Sequence, residues 1–213
     1  MRPKVKVCGL TRPEDARAAT RAGADYLGAI FYQRSPRYVN LDTLEDLVFA
    51  MPEGKRVMVD VAPEDMVLED RIELGFDFYQ LHFDLSVPVE RIKGWSEITG
   101  VNRLWLAPRI PSGTAFPEKL LELADTFVLD NYKPDTFGGS GKAGGWDRFA
   151  KWKAAYPNKC FVLAGGLGPD NVVAAYAATK AEVLDLNSGV ESAPGIKDQA
   201  KLSRAIHAVR NLK

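Results

Sequence analysis

The amino-acid sequence predicts an α/β protein, a single-domain (β/α)8 TIM barrel over residues 1–213, and three observations carry that prediction. Short apolar runs rich in β-branched residues alternate with amphipathic stretches along the whole chain. Eight such units share the length at about 26 residues each, room for one strand, one helix and two short loops. Several apolar runs end in polar or glycine-rich turns, among them Cys8-Gly9, Leu129-Asp130, Ala164-Gly165-Gly166 and Asn187-Ser188-Gly189. Strands separated by helices pair in parallel, because each crossover needs a helix. An open doubly wound sheet is the alternative, but it rarely needs eight near-equal units. The G-x-G-x-x-G turn of dinucleotide-binding sheets is absent after the first strand, where Cys8-Gly9-Leu10 stands.

Strands are expected at Val5–Cys8, Tyr26–Phe31, Arg56–Val61, Phe78–His82, Arg103–Ala107, Phe127–Asp130, Cys160–Ala164 and Val183–Leu186. The first helix, Pro13–Ala22, opens with proline near N1 and carries Glu14 and Asp15 in its first turn, both favourable at a helix start. Leu41–Ala50 follows Asn40, a suitable N-cap. Pro63–Leu74 ends at Gly75, a typical residue just past a helix. A fourth helix around Val87–Ile98 is expected to be short or irregular because it contains Pro88, Gly94 and Trp95. Phe116–Ala124, Trp146–Tyr156, Asp170–Ala178 and Lys197–Leu212 complete the set.

Composition narrows the function. Hydrophobic residues make up 46% and charged residues 26%, a normal globular balance. Twenty-eight basic and 28 acidic residues cancel, which argues against a nucleic-acid partner but leaves room for a local anion site. No run approaches the roughly 18 apolar residues of a membrane span. The N-terminus lacks the apolar stretch of a signal peptide, so a cytoplasmic location is expected. The two cysteines, Cys8 and Cys160, fall in different strands and do not resemble a disulfide framework.

In such a barrel, chemistry sits at the C-terminal ends of the strands, and phosphate binds at the loops after strands seven and eight. Gly165-Gly166 and Ser188-Gly189 fall there, and glycines let backbone amides approach an oxyanion closely. Cys8 reads either as a small buried hydrophobe or as a general base or nucleophile. A thiol of ordinary pKa, about 8.5, is only a few per cent ionised at neutral pH, and nearby Lys6 or Arg37 would raise that fraction. Asp130 follows the wholly apolar Phe127-Val128-Leu129 and is either a cap or a general acid with a raised pKa. Arg37 is either a solvated loop residue or a fork for a substrate carboxylate or phosphate. His82 is expected to be structural and His207 to lie at the surface; the pair has no metal-ligand spacing. Trp95, Trp105, Trp146 and Trp152 read as packing residues rather than a base-stacking platform.

Together these motifs resemble the phosphoribosylanthranilate isomerase family of tryptophan biosynthesis. The matching pieces are Lys6–Thr11, Ser35–Val39, Gln80-Leu81-His82, Leu129-Asp130, Gly138–Gly141, Leu163–Leu167 and Asp185–Glu191 continuing to Pro194-Gly195 and Lys197-Asp198. They occur in family order from residue 6 to residue 198. The resemblance implies an Amadori rearrangement of N-(5-phosphoribosyl)anthranilate to 1-(2-carboxyphenylamino)-1-deoxyribulose 5-phosphate, the third step from chorismate, with no metal or organic cofactor. It implies Asp130 as the general acid on the furanose oxygen and Cys8 as the base on the C2 proton. Arg37 would hold the anthranilate carboxylate, and Asp185 a ribose hydroxyl. Phosphate would rest on amides around Gly165, Gly166, Ser188 and Gly189, with Gly139, Ser140 and Gly141 closing over it. The expected partner is a small phosphorylated substrate, and the expected state a monomer or homodimer.

Three departures from the family pattern bear on the pocket rim and lid. Phe83 replaces the usual glycine after Gln-Leu-His, Asp60 stands near a common asparagine, and the loop after Gly141 is about two residues longer. A sibling isomerase of histidine biosynthesis is the nearest rival; it would carry aspartate at the position of Cys8 and two phosphate sites. A non-catalytic phosphosugar-binding barrel is the other alternative, and it would not need both Cys8 and Asp130.

Overall fold

Strands that are apolar on both faces bury both when the sheet curls on itself and helices cover its outside. In the computed structural model, which describes residues 2–130 and 145–212, the chain does this. Strands β1 (Lys4–Val7), β2 (Tyr26–Ile30), β3 (Arg56–Val61), β4 (Phe78–Asp84), β5 (Leu104–Arg109), β6 (Thr126–Leu129), β7 (Cys160–Leu167) and β8 (Val183–Leu186) form a closed parallel barrel in chain order. Closure comes from β1 against β8, with Lys6 beside Asp185 and Val7 beside Leu186. The (β/α)8 barrel expected from the sequence is therefore the observed fold.

Around it lie α1 (Pro13–Ala22), α2 (Leu44–Phe49), α3 (Asp65–Ile72), α4 (Val89–Thr99), α5 (Trp146–Ala155), α6 (Val172–Thr179) and α7 (Gln199–Arg210). Helix α1 has the expected bounds, with Pro13 at its start and Gly23 past its end. Asn40 caps as expected, accepting from the Thr43 amide, but what it caps is a 3-10 turn, Leu41–Thr43, that leads into α2. Helix α4 is a regular 11 residues rather than short or irregular. Its Gly94 packs beside Asp65 of α3, where an added Cβ would lie 3.2 Å from Oδ2, and Trp95 is wholly buried. The helix expected at Phe116–Ala124 is instead one 3-10 turn, Glu118–Leu120. Phe116 is drawn inward by the rings of Phe127, Trp152, Tyr156 and Phe161 rather than presented on a helical face. Lys197 does not begin the last helix either. It belongs to an unforeseen antiparallel hairpin, β9 (Glu191–Ala193) with β10 (Ile196–Lys197), and Asp198 caps α7 by accepting from the Lys201 amide at 3.0 Å.

Period-two alternation sends one set of side chains into the barrel. Cys8, Val57, Val59, Trp105, Ala107, Val128, Val162 and Val183 form its apolar lining. Tyr26, Phe78 and Trp105, at the strands' N-terminal ends, stack with centroids 5.0–5.5 Å apart and close that end. Trp95 and Trp105 are buried packing residues, as expected. Among the described residues no helix is long and apolar enough to cross a membrane. Gly139, Ser140 and Gly141 lie outside the described residues, as does the rest of the segment to residue 144.

Candidate active site

With its N-terminal end plugged by rings, the barrel carries its cavity at the opposite mouth. That cavity is about 680 Å³, a size typical of small-molecule sites. Cys8, Arg37, Asp130, Gly165, Gly166, Asp185 and Ser188 all line it. Cys8 and Asp130, which the sequence places on strands one and six, therefore face one space. Gly189 is not in the lining. An added Cβ there would overlap the Leu167 carbonyl, and one at Gly168 would lie 2.6 Å from the Gly189 carbonyl oxygen. These two glycines let the segments after β7 and β8 pack backbone to backbone. Gly165 and Gly166 lie within β7 rather than in the loop after it. Their positive φ values, 111° and 63°, interrupt the ladder to β8, whose register shifts between Leu163 and Leu167.

Cys8 follows β1 directly and is buried. Its neighbour Gly9 adopts φ +68°, and an added Cβ would come within 2.6 Å of both Arg37 Cδ and Asn187 Oδ1. A glycine is thus required for the thiol, the arginine and Asn187 to meet. Burial pushes the Cys8 thiol above its ordinary value and outweighs Lys6, the strongest of the groups that draw it down. Lys6 and Arg37 act in the expected sense, but the resting thiol is less ionised than in water, not more.

Lys6 is fully buried, and its Nζ donates to Asp185 Oδ2 at 2.8 Å. Burial works against the Lys6 charge, but Asp185 and Cys8 prevail and hold it protonated. Burial pushes the Asp185 carboxyl up, with Lys6 and Lys197 opposing. Asp185 Oδ1 is buried with no hydrogen-bond partner, so one carboxylate oxygen in the cavity wall awaits a donor.

Arg37 is not a free loop residue. Its Nε and Nη2 donate to Glu191 at 2.9 and 2.7 Å. Glu191 Oε1 also accepts from Lys197 Nζ at 2.8 Å, and that ammonium donates in turn to Asn187 Oδ1 at 3.0 Å. Burial acts against the Glu191 charge, but Arg37 and Lys197 hold its carboxyl below the usual range. Sequence reasoning missed Glu191 and Lys197 as members of the site. The only signal was that both lie inside the matched motifs, with no spacing to pair them.

His82 is structural, as expected: its Nε2 meets Gln80 Nε2 at 2.8 Å. It also lines the cavity, and burial with the nearby Lys6 charge lowers its pKa to about 4, so it is neutral. Phe83 does not shape the rim. It points outward, buried against Trp95 at 5.7 Å between rings. Asp60 does line the cavity, paired with Arg71.

Titratable side chains gathered around a cavity at the C-terminal mouth of a closed parallel barrel are the arrangement of a (β/α)8-barrel enzyme. Comparison with known proteins resolves the class further. A family model described as N-(5'phosphoribosyl)anthranilate (PRA) isomerase matches residues 5–208. An N-(5'-phosphoribosyl)anthranilate isomerase from Zymomonas mobilis is 33% identical over 216 residues, with all of both chains covered. The crystal structure of phosphoribosyl anthranilate isomerase from Thermotoga maritima superposes with a TM-score of 0.80 at 29% identity, covering 99% of this chain and 100% of that one. Another phosphoribosyl anthranilate isomerase, solved with reduced 1-(o-carboxyphenylamino)-1-deoxyribulose 5-phosphate, gives a TM-score of 0.76 at 26% identity, covering 99% and 100%. The chain belongs to the N-(5'-phosphoribosyl)anthranilate isomerase family.

Proposed function

We propose that Cys8 and Asp130 are the base and the acid of the reaction that defines this family. That reaction, which this chain catalyses, is the Amadori rearrangement of N-(5-phosphoribosyl)anthranilate to 1-(2-carboxyphenylamino)-1-deoxyribulose 5-phosphate in tryptophan biosynthesis. Asp130 gives a proton to the furanose oxygen as the C1–O bond breaks, leaving a protonated Schiff base. Cys8, as thiolate, takes the proton from C2; the electron pair of that C–H bond forms C1=C2, and the nitrogen becomes neutral. The resulting enolamine tautomerises to the ketone. The substrate's own nitrogen is the electron sink.

The observation that carries this reading is that both groups line one cavity large enough for the substrate. A pushed-up thiol is scarce as thiolate but more basic once formed. The buried, unpartnered Asp185 Oδ1 suits a ribose hydroxyl. Arg37 has two nitrogens engaged by Glu191, so an anthranilate carboxylate binds through Nη1 or shares the fork. Gly165, Gly166 and Ser188 supply backbone beside the cavity for the phosphate.

Single Cys8→Ala and Asp130→Asn variants should each lower kcat at least about 100-fold while product-analogue affinity stays within a few-fold. Turnover near that of the parent in either variant removes that residue from its role. The parent enzyme assayed with the aminoaldose of the histidine-pathway sibling should show little turnover; efficient turnover favours the rival substrate.

A further inference from the structure

We propose that Lys6 is a positioning residue for catalysis: its buried ammonium, anchored by Asp185, lies against Cys8 and sets how readily the thiol ionises. The inference rests on Cys8 being the base. Lys6 and Cys8 lie two residues apart and share the inward face of the barrel wall. Gly28 of β2 faces both: a Cβ there would lie 3.1 Å from Cys8 Sγ and 3.3 Å from Lys6 Cε. The missing side chain gives sulfur and lysine stem a common space.

An ion pair in that place needs a reason. The surrounding lining is largely valine, and a buried pair such as Lys6–Asp185 is weak as a stabilising device because desolvation offsets its attraction. The acid–base steps do not call on Lys6 directly. What it supplies is positive charge beside a thiol that burial holds protonated. The other charged groups facing Cys8 are Asp185 on β8, Lys197 on β10 and Arg37 on the segment after β2. Asp185 opposes the thiolate, Lys197 and Arg37 favour it, and Lys6 is the strongest of these charges. Neutral His82 adds no charge. Without Lys6, burial and Asp185 would act together against the thiolate.

The test measures Cys8 alkylation by iodoacetamide against pH, without substrate, in a Cys160→Ala background so that one thiol reports. Lys6→Met should slow alkylation at pH 7 at least about tenfold, with the rate approaching the parent's at high pH. Lys6→Arg, which keeps the charge, should restore part of the rate. If the unpaired Asp185 prevents folding, Lys6→Met/Asp185→Asn is compared with Asp185→Asn and should be the slower of the two. In turnover, Lys6→Met should lower kcat at pH 7 and recover as pH rises, with KM changed less. Alkylation at pH 7 within twofold of the parent, or a kcat loss equal at every pH, overturns the proposal. Should Cys8→Ala retain turnover, the base assignment fails while the alkylation result still judges Lys6.

Discussion

At the scale of single residues, the site depends on close approaches that only particular side chains permit. Gly9 combines a positive φ with a Cβ position already occupied by Arg37 and Asn187. Gly9→Ala should cost about 1–3 kcal/mol in urea unfolding and raise KM, because the arginine must move. Arg37→Ala should leave kcat largely unchanged and raise KM for the carboxylate-bearing substrate; an unchanged KM removes its binding role. Strand ends made Cys8 and Asp130 legible as candidates before any fold was seen, Arg37 was legible as a possible anion fork on the loop after the second strand, and Asp185 only through the family resemblance. Lys6 was legible only as a neighbour of Cys8, and Gly28 not at all, because its importance is the absence of a side chain between two groups on another strand. Glu191 and Lys197 are six residues apart, yet their meeting depends on a hairpin whose strands, three and two residues long, are too short to show apolar alternation.

Among elements, the strands were read to within one to three residues because burial on both faces leaves an unbroken apolar signal. Helices read less uniformly. Helix α1 has its start and stop written in Pro13 and Gly23, whereas Phe116 sits in a stretch whose burial is decided by four distant rings. Gly94 looked like a breaker; in place, it is where α4 passes the Asp65 carboxylate. The junction between the segments after β7 and β8 gives an element-level prediction. In Gly189→Ala the new methyl meets the Leu167 carbonyl, a backbone group that cannot swing aside as a side chain would. The expected cost is about 3 kcal/mol in urea unfolding, with weaker phosphate-ligand binding by titration. Stability and binding equal to the parent's would show that the two segments do not rely on this contact.

At the scale of the whole molecule, buried ionisable groups make stability depend on pH. His82 is neutral in the fold, with its pKa lowered from 6.5 to about 4. The unfolded chain takes up this proton first as pH falls, so the favourable difference is fully present above pH 6.5 and lost as pH drops towards about 4. The loss attributable to His82 is about 3 kcal/mol. Urea unfolding at pH 7 and pH 4.5 should show a smaller difference in His82→Asn than in the parent; equal differences would assign the acid sensitivity elsewhere. The seam between the first and last strands has a further consequence, this one for biosynthesis. Lys6 and its partner Asp185 are 179 positions apart. At ribosomal speeds of about 5–20 residues per second, the cysteine emerges on the order of ten seconds or more before that partner exists. Throughout that interval it is an ordinary exposed thiol on a nascent chain, open to oxidants that the finished barrel largely keeps away. Catalytic competence therefore waits until the eighth strand has been made, and arrives all at once.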